Sequence, residues 1–149
     1  MKKFALSLFA ICMAFVAFAD NDSELVGKWI QTITQDGVNV ISLYDFQEDG
    51  TMRQEMTITG QSPKIEIVGS ATCEYTYSGN TITFKFKADD IEFSTFFIEG
   101  LDPAWVSMAI EQQKSQLAAQ QMKLTKVKIE GNTLTAKMDK ETVTFTRIQ

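Results

Sequence analysis

The residue types that most often carry catalysis are sparse in this chain. The sequence contains no histidine, so histidine-based triads, histidine general bases and the usual zinc sites lack their central group. Cys73 falls in an alternating run, on the side that carries Ile65, Tyr75 and Tyr77. A nucleophilic thiol needs an accessible, electropositive setting. We therefore expect Cys73 to be a buried structural thiol and the protein to be no enzyme.

The acidic residues offer no stronger site. Glu66 and Glu74 fall on the polar side of the same run, where a solvated charge is the ordinary outcome. Asp89-Asp90 has the pattern of a turn. The acidic loop Glu48-Asp49-Gly50 resembles a calcium loop only in charge, because the ligand spacing is missing. The glycines stand singly and form no phosphate-binding loop. The sequence thus indicates neither a metal nor a cofactor.

The first 19 residues have the form of a secretory signal peptide. Lys2 and Lys3 precede an apolar run over residues 4–19, which closes with Ala17-Phe18-Ala19. The run is shorter than the roughly 20 apolar residues that span a bilayer. Cys12 follows the bulky Ile11 inside the run, which disfavours attachment of a lipid. We predict cleavage near Ala19, with residues 20–149 exported to the periplasm or the extracellular space.

The charge of the exported part argues against nucleic acid as a partner. The whole chain has 14 basic and 19 acidic residues. Removing Lys2 and Lys3 leaves 12 against 19, a net charge of −7. Binding to phosphate groups needs clustered lysine and arginine, and here the basic residues are scattered. The exported part also retains a single cysteine, so core burial rather than an internal disulfide must stabilise it.

Apolar and polar residues alternate along most of residues 20–149, which is typical of strands with one buried face. Tight-turn dipeptides such as Asp36-Gly37 and Asp49-Gly50 separate the runs, and Gly69 predicts a bend or bulge inside one of them. Sequential hairpins form a meander, and closing a meander removes its edges. We predict one all-β domain, an antiparallel up-and-down barrel of about 8–10 strands. Nine strands are predicted, at residues 27–34, 38–47, 51–59, 64–77, 81–87, 91–98, 124–130, 133–139 and 142–148.

Two segments depart from simple alternation. Residues 91–98 are apolar on both faces around Phe96 and Phe97, which predicts cover on the outside as well as the inside. Asp102-Pro103 is a helix start, and residues 103–122 predict a helix inserted between the sixth and seventh strands. Val106, Ile110 and Leu117 share one helix face, whereas Trp105 and Met108 fall toward another. The helix either packs on the sheet or covers the barrel mouth as a lid.

The stretch Leu25-Val26-Gly27-Lys28-Trp29 resembles the Gly-x-Trp start of lipocalin-like proteins, which are antiparallel barrels of the calycin type. Residues 44–51 (YDFQEDGT) resemble the second hairpin of small exported bacterial lipocalin-like domains. The resemblance implies a barrel around a cavity, with Gly27 and Trp29 at one end. It also implies that Arg147, near the end of the last strand, stacks over Trp29. A guanidinium over an indole is favourable by about 0.5–2 kcal/mol.

Three functional classes follow from a barrel of this size. The first is a non-catalytic binding protein for a small apolar ligand. The second is a protein-interaction or inhibitor domain with a filled barrel, which would use the loops and Trp105 and Met108 on the helix. The third, an outer-membrane barrel, is disfavoured because residues 133–139 and 142–148 fall short of the about 9–11 residues that such strands need. The candidate cavity-lining residues are Tyr44, Phe46, Met52, Met56, Tyr75, Tyr77, Phe84, Phe86 and Trp105.

Overall fold

The computed structural model describes residues 24–148, which form nine strands, an α-helix and a short 3-10 helix. The predicted signal peptide, residues 1–19, and Cys12 lie outside the described residues. The strands are β1 (Gly27–Gln35), β2 (Val38–Phe46), β3 (Thr51–Gln61), β4 (Lys64–Ser78), β5 (Thr81–Lys85), β6 (Ile91–Ile98), β7 (Met122–Glu130), β8 (Thr133–Met138) and β9 (Glu141–Ile148). The 3-10 helix Ala88–Asp90 precedes β6, and helix α1 (Pro103–Ala119) precedes β7.

The strands close into an antiparallel barrel of eight strands. Their order is β3-β2-β1-β9-β8-β7-β5-β4, and β4 pairs again with β3 to complete the circle. Strand β6 pairs with β4 outside this circle. The predicted all-β up-and-down barrel, with its helix between the sixth and seventh strands, is confirmed. No helix in the described part of the chain has the length and apolar character to cross a membrane.

Strand β4 is the longest strand and organises one end of the barrel. On one side it pairs with β3, from Lys64 to Glu74. On the other side its first half pairs with β6 and its second half pairs with β5. Strands β5 and β6 are therefore two halves of one interrupted strand, and the 3-10 helix lies at the interruption. Among the described residues β6 pairs only with β4, so its other edge is unpaired and the sheet is open at this point.

Gly69 lies at an irregularity in the sheet, as its position inside an alternating run predicts. The register between β4 and β6 shifts at Gly69, and the extra residue, Ser94, belongs to β6. A Cβ on Gly69 would lie only 3.0 Å from the ring of Phe93. The absence of a side chain thus lets the Phe93 ring pack directly across β4.

Two details of the sequence interpretation are wrong. The structure leaves Phe97 47% exposed, so residues 24–148 do not supply the outer cover predicted for β6. The helix ends at Ala119 rather than at residue 122, because Met122 already begins β7 and pairs with Phe84. In a strand, Met122 turns its side chain toward the core, a position that one more helical turn would not provide.

The barrel end opposite the mouth is closed by Trp29 and Arg147, which face each other on the adjacent strands β1 and β9. The guanidinium of Arg147 lies 4.2 Å from the centre of the fully buried Trp29 ring. Its Nη1 donates to the Val26 carbonyl at 2.9 Å, and Trp29 Nε1 donates to the Leu25 carbonyl at 2.8 Å. Gly27 has φ +127°, and a Cβ there would lie 2.9 Å from Arg147 Nη1. Both its backbone conformation and this close approach therefore favour glycine.

Candidate functional site

The interior of the barrel is filled by its own side chains. The aromatic rings pack edge to face, with centres 5.2 Å apart for Tyr44 and Phe145 and 5.0 Å apart for Phe46 and Tyr75. A void among these side chains measures about 10 Å³, close to the roughly 10–15 Å³ that a single water molecule needs. This void is too small for a ligand. Seven of the candidate lining residues are buried core side chains: Tyr44, Phe46, Met52, Tyr75, Tyr77, Phe84 and Phe86.

A separate, partly open cavity of about 170 Å³ lies at the barrel mouth, and we call it the mouth cavity. Strands β3, β4, β6 and β7 and helix α1 all contribute to its wall. The structure brings two of the candidate lining residues, Met56 and Phe86, to this cavity but leaves Trp105 outside it. The apolar side chains of its wall are Met56, Ala71, Phe86, Ile91, Phe93, Leu117 and Met122, and the other lining residues are Gln54, Gly69, Ser70 and Glu92.

Helix α1 is fixed over one side of this cavity. Asp102 caps the helix, because its Oδ1 accepts a hydrogen bond from the Ala104 amide at 2.9 Å. The half-buried residues Val106, Ile110 and Leu117 follow helical spacing along one face, and the helix contacts β6 and the 3-10 helix. Leu117 packs against the core and lines the mouth cavity. The helix thus packs on the sheet and contributes Leu117 to the wall of the mouth cavity.

The sequence interpretation missed Leu117, Phe93 and Met122 as wall residues. The sequence grouped Leu117 with Val106 and Ile110 on one helix face without indicating what that face contacts. Phe93 lies on the inward side of an alternating strand. The missing information was that β6 pairs with the first half of β4, which brings Phe93 opposite Gly69. Such pairing between strands far apart in sequence carries no local sequence signal.

A short series of polar side chains runs from inside the barrel to the wall of the mouth cavity. Gln31 is only 7% exposed and accepts a hydrogen bond from the Tyr44 hydroxyl at 3.4 Å. The Nε2 of Gln54 donates to the same hydroxyl at 3.3 Å. Burial raises the pKa of Tyr44 to about 12, so this hydroxyl keeps its proton at neutral pH. Gln54 also lines the mouth cavity, and it is the end of the series nearest to a ligand.

Cys73 and Asp49 have environments typical of structural groups. Cys73 is a buried free thiol, and burial raises its pKa to about 12, which keeps it neutral and a poor nucleophile. Asp49 accepts hydrogen bonds from the Thr51 hydroxyl and amide, and these bonds hold the pKa of its carboxyl below the usual value. Among residues 24–148, no three histidine, cysteine, aspartate or glutamate residues are grouped as a metal site would require.

Comparison with known proteins does not identify a function for this chain, so the proposal below rests on the geometry of the barrel and the mouth cavity. No model of a known protein family matches this chain, and no curated protein matches it significantly.

Proposed function

We propose that this chain is an exported, non-catalytic binding protein for a small apolar molecule, and that the mouth cavity is the binding site. The observation that carries this proposal is an apolar cavity of about 170 Å³ at the barrel mouth. An engineered cavity of about 150 Å³, lined by leucine, isoleucine and phenylalanine, holds benzene in another protein. The mouth cavity therefore has room for one aromatic ring or a short branched alkyl group.

The wall of the cavity suits such a ligand. Phe86 and Phe93 offer ring faces and edges, whereas Met56 and Met122 are flexible and adapt to irregular shapes. Burying the roughly 150–250 Å² of a single aromatic group is favourable by about 4–6 kcal/mol, before the entropic cost of association. Because about 4 kcal/mol corresponds to a dissociation constant of about 1 mM and the entropic cost reduces the net gain, we expect weak binding, with a dissociation constant of about 1 mM or higher.

The binding test uses toluene as the probe and the wall residue Leu117 as the site of change. Toluene should bind the unmodified protein saturably, as measured by isothermal titration calorimetry. The variant Leu117→Trp places a larger side chain in the cavity and should weaken binding at least tenfold. Ala118→Trp adds the same indole at the neighbouring, exposed helix position and should bind as the unmodified protein does. Absence of saturable binding, or equal binding by both variants, would contradict the proposal.

The closed end of the barrel supports the likeness to lipocalin-like domains. Arg147 stacks on Trp29 and approaches Gly27, which is the arrangement that the resemblance implies. The resemblance implies a cavity inside the barrel, but side chains fill the barrel core and the cavity lies at the mouth. The likeness therefore supports an exported bacterial binding domain but not a ligand deep in the barrel.

A protein partner at helix α1 is the second candidate function. Trp105 is 55% exposed and Met108 is 59% exposed, and both lie away from the cavity side of the helix. Tryptophan and methionine are enriched at protein interfaces. If apolar probes fail to bind, this surface becomes the better candidate, and the filled barrel serves as its scaffold.

Export predicts a processed N-terminus. The apolar run and the Ala17-Phe18-Ala19 triplet imply that protein recovered from outside the cytoplasm begins near Asp20. N-terminal sequencing of that protein, with intact-mass measurement, tests this expectation. Retention of Met1, or a lipid mass on Cys12, would show that the N-terminal segment has another role.

A further inference from the structure

The hydrogen bonds behind the mouth cavity run from donor to acceptor in one direction, from Gln54 to Tyr44 and from Tyr44 to Gln31. A neutral tyrosine hydroxyl carries one proton, and the proton of Tyr44 is donated to Gln31. The hydroxyl also has a side-chain hydrogen bond with Ser42. Because its one proton goes to Gln31, the hydroxyl must accept in its contact with Gln54, and the Nε2 of Gln54 is the donor. This order fixes the orientation of the Gln54 carboxamide and leaves its Oε1 as the remaining acceptor.

That acceptor is unpartnered by the described protein. Within residues 24–148, Gln54 makes one side-chain hydrogen bond, through its Nε2, and no described residue donates to its Oε1. Gln54 lines the mouth cavity, where most neighbours are apolar. Ligand sites commonly combine an apolar wall with a few placed polar groups that orient the ligand. An acceptor held in place by Tyr44 is such a group.

We propose that the mouth cavity selects small apolar molecules that carry one hydrogen-bond donor, and that the donor binds the Oε1 of Gln54. This inference rests on the proposed function, because it specifies the ligand class of the same cavity. The favoured chemistry is an aromatic ring or short alkyl group with a hydroxyl or N–H, such as phenol. A hydrocarbon of equal size leaves the Gln54 acceptor unsatisfied, whereas a ligand with only an acceptor places two oxygen atoms against each other.

Phenol and toluene provide the test, because they are close in size and differ by a hydroxyl in place of a methyl group. The quantity to compare is the ratio of their dissociation constants, toluene over phenol, which cancels general changes in the cavity. In Gln54→Leu, the phenol hydroxyl loses its partner while the wall keeps a similar volume, so this ratio should fall about tenfold. Gln112→Leu makes the same change at an exposed helix position and should leave the ratio unchanged.

A second comparison uses the unmodified protein and so does not depend on the stability of a variant. Benzyl alcohol donates a hydrogen bond and benzaldehyde only accepts one, although the two molecules are nearly equal in size. After correction for their partition between octanol and water, benzyl alcohol should bind several-fold more tightly. Isothermal titration calorimetry gives both constants.

The outcomes separate this inference from the proposed function. A lower ratio in Gln54→Leu and a preference for benzyl alcohol support donor selection. An unchanged ratio, or equal corrected affinity for the alcohol and the aldehyde, overturns donor selection while leaving an apolar binding site. Failure of all four probes to bind the unmodified protein overturns both the binding site and its selectivity.

Discussion

Replacing Trp29 with alanine is expected to lower the free energy of unfolding by about 3–5 kcal/mol, the usual cost of deleting a large buried aromatic side chain. The Trp29 side chain is fully buried and packs beneath the Arg147 guanidinium. Its removal leaves a hole at the closed end of the barrel and also frees the Leu25 carbonyl from its indole hydrogen bond. Urea denaturation followed by circular dichroism measures the change.

Arg147 provides the matched comparison for this experiment. Arg147→Ala should cost less than Trp29→Ala, because it removes a stacking contact worth about 0.5–2 kcal/mol and hydrogen bonds to backbone carbonyls at the barrel end. Arg147→Lys keeps the charge but loses the planar stack, so it should fall between the unmodified protein and Arg147→Ala. An unchanged denaturation midpoint in Trp29→Ala would show that this end of the barrel contributes little to stability.

Phe86→Ala should have the second large effect, because Phe86 lies in the wall between the mouth cavity and the small interior void. We expect a loss of about 3–5 kcal/mol in the free energy of unfolding. The loss of the ring should also join the two spaces into one larger cavity. Naphthalene should then bind the variant more tightly than the unmodified protein, because its second ring can enter the space that the Phe86 ring occupied in the wall of the mouth cavity.

Phe97→Ala is the control for this variant. Phe97 is 47% exposed on the outside of β6, so its removal should cost less than about 1 kcal/mol and should leave naphthalene binding as it is in the unmodified protein. Denaturation and calorimetric titration give the two measurements. Equal naphthalene binding by the unmodified protein and by Phe86→Ala would mean that the ring of Phe86 does not limit the cavity.

The architecture follows largely from local patterns in the sequence. Alternation identifies the strands and their inward faces, because side chains of a strand alternate between its two sides. Paired turn residues identify the hairpins, and Asp102-Pro103 identifies the start of the helix. The contact between Trp29 and Arg147 was expected from the resemblance rather than from alternation, and the structure places the two residues together.

The location of the cavity could not be predicted in the same way. Alternation shows that Tyr44 and Phe84 face inward, but it does not show how many inward rings fill the barrel. That depends on the distance across the barrel and on which side chains meet at each level. Met52 and Met56 lie on the same face of β3, yet Met52 is buried in the filled core and Met56 lines the mouth cavity. Met52 pairs with Cys73, whereas Met56 pairs with Gly69 in the half of β4 that borders β6.

The pairing of β1 with β9, which closes the barrel, also carries a large loss of chain entropy during folding. Most strand pairs join neighbours in sequence through short turns, whereas the hydrogen bond from Arg147 to Val26 joins residues 121 positions apart. Loop-closure entropy grows with the logarithm of length, so this contact costs roughly 3 kcal/mol more than closing a turn of about four residues. The hairpins can form before β1 pairs with β9, and so without this loss of entropy. We therefore expect the contact between Arg147 and Trp29 to form late in folding and to stabilise the closed barrel relative to an open meander.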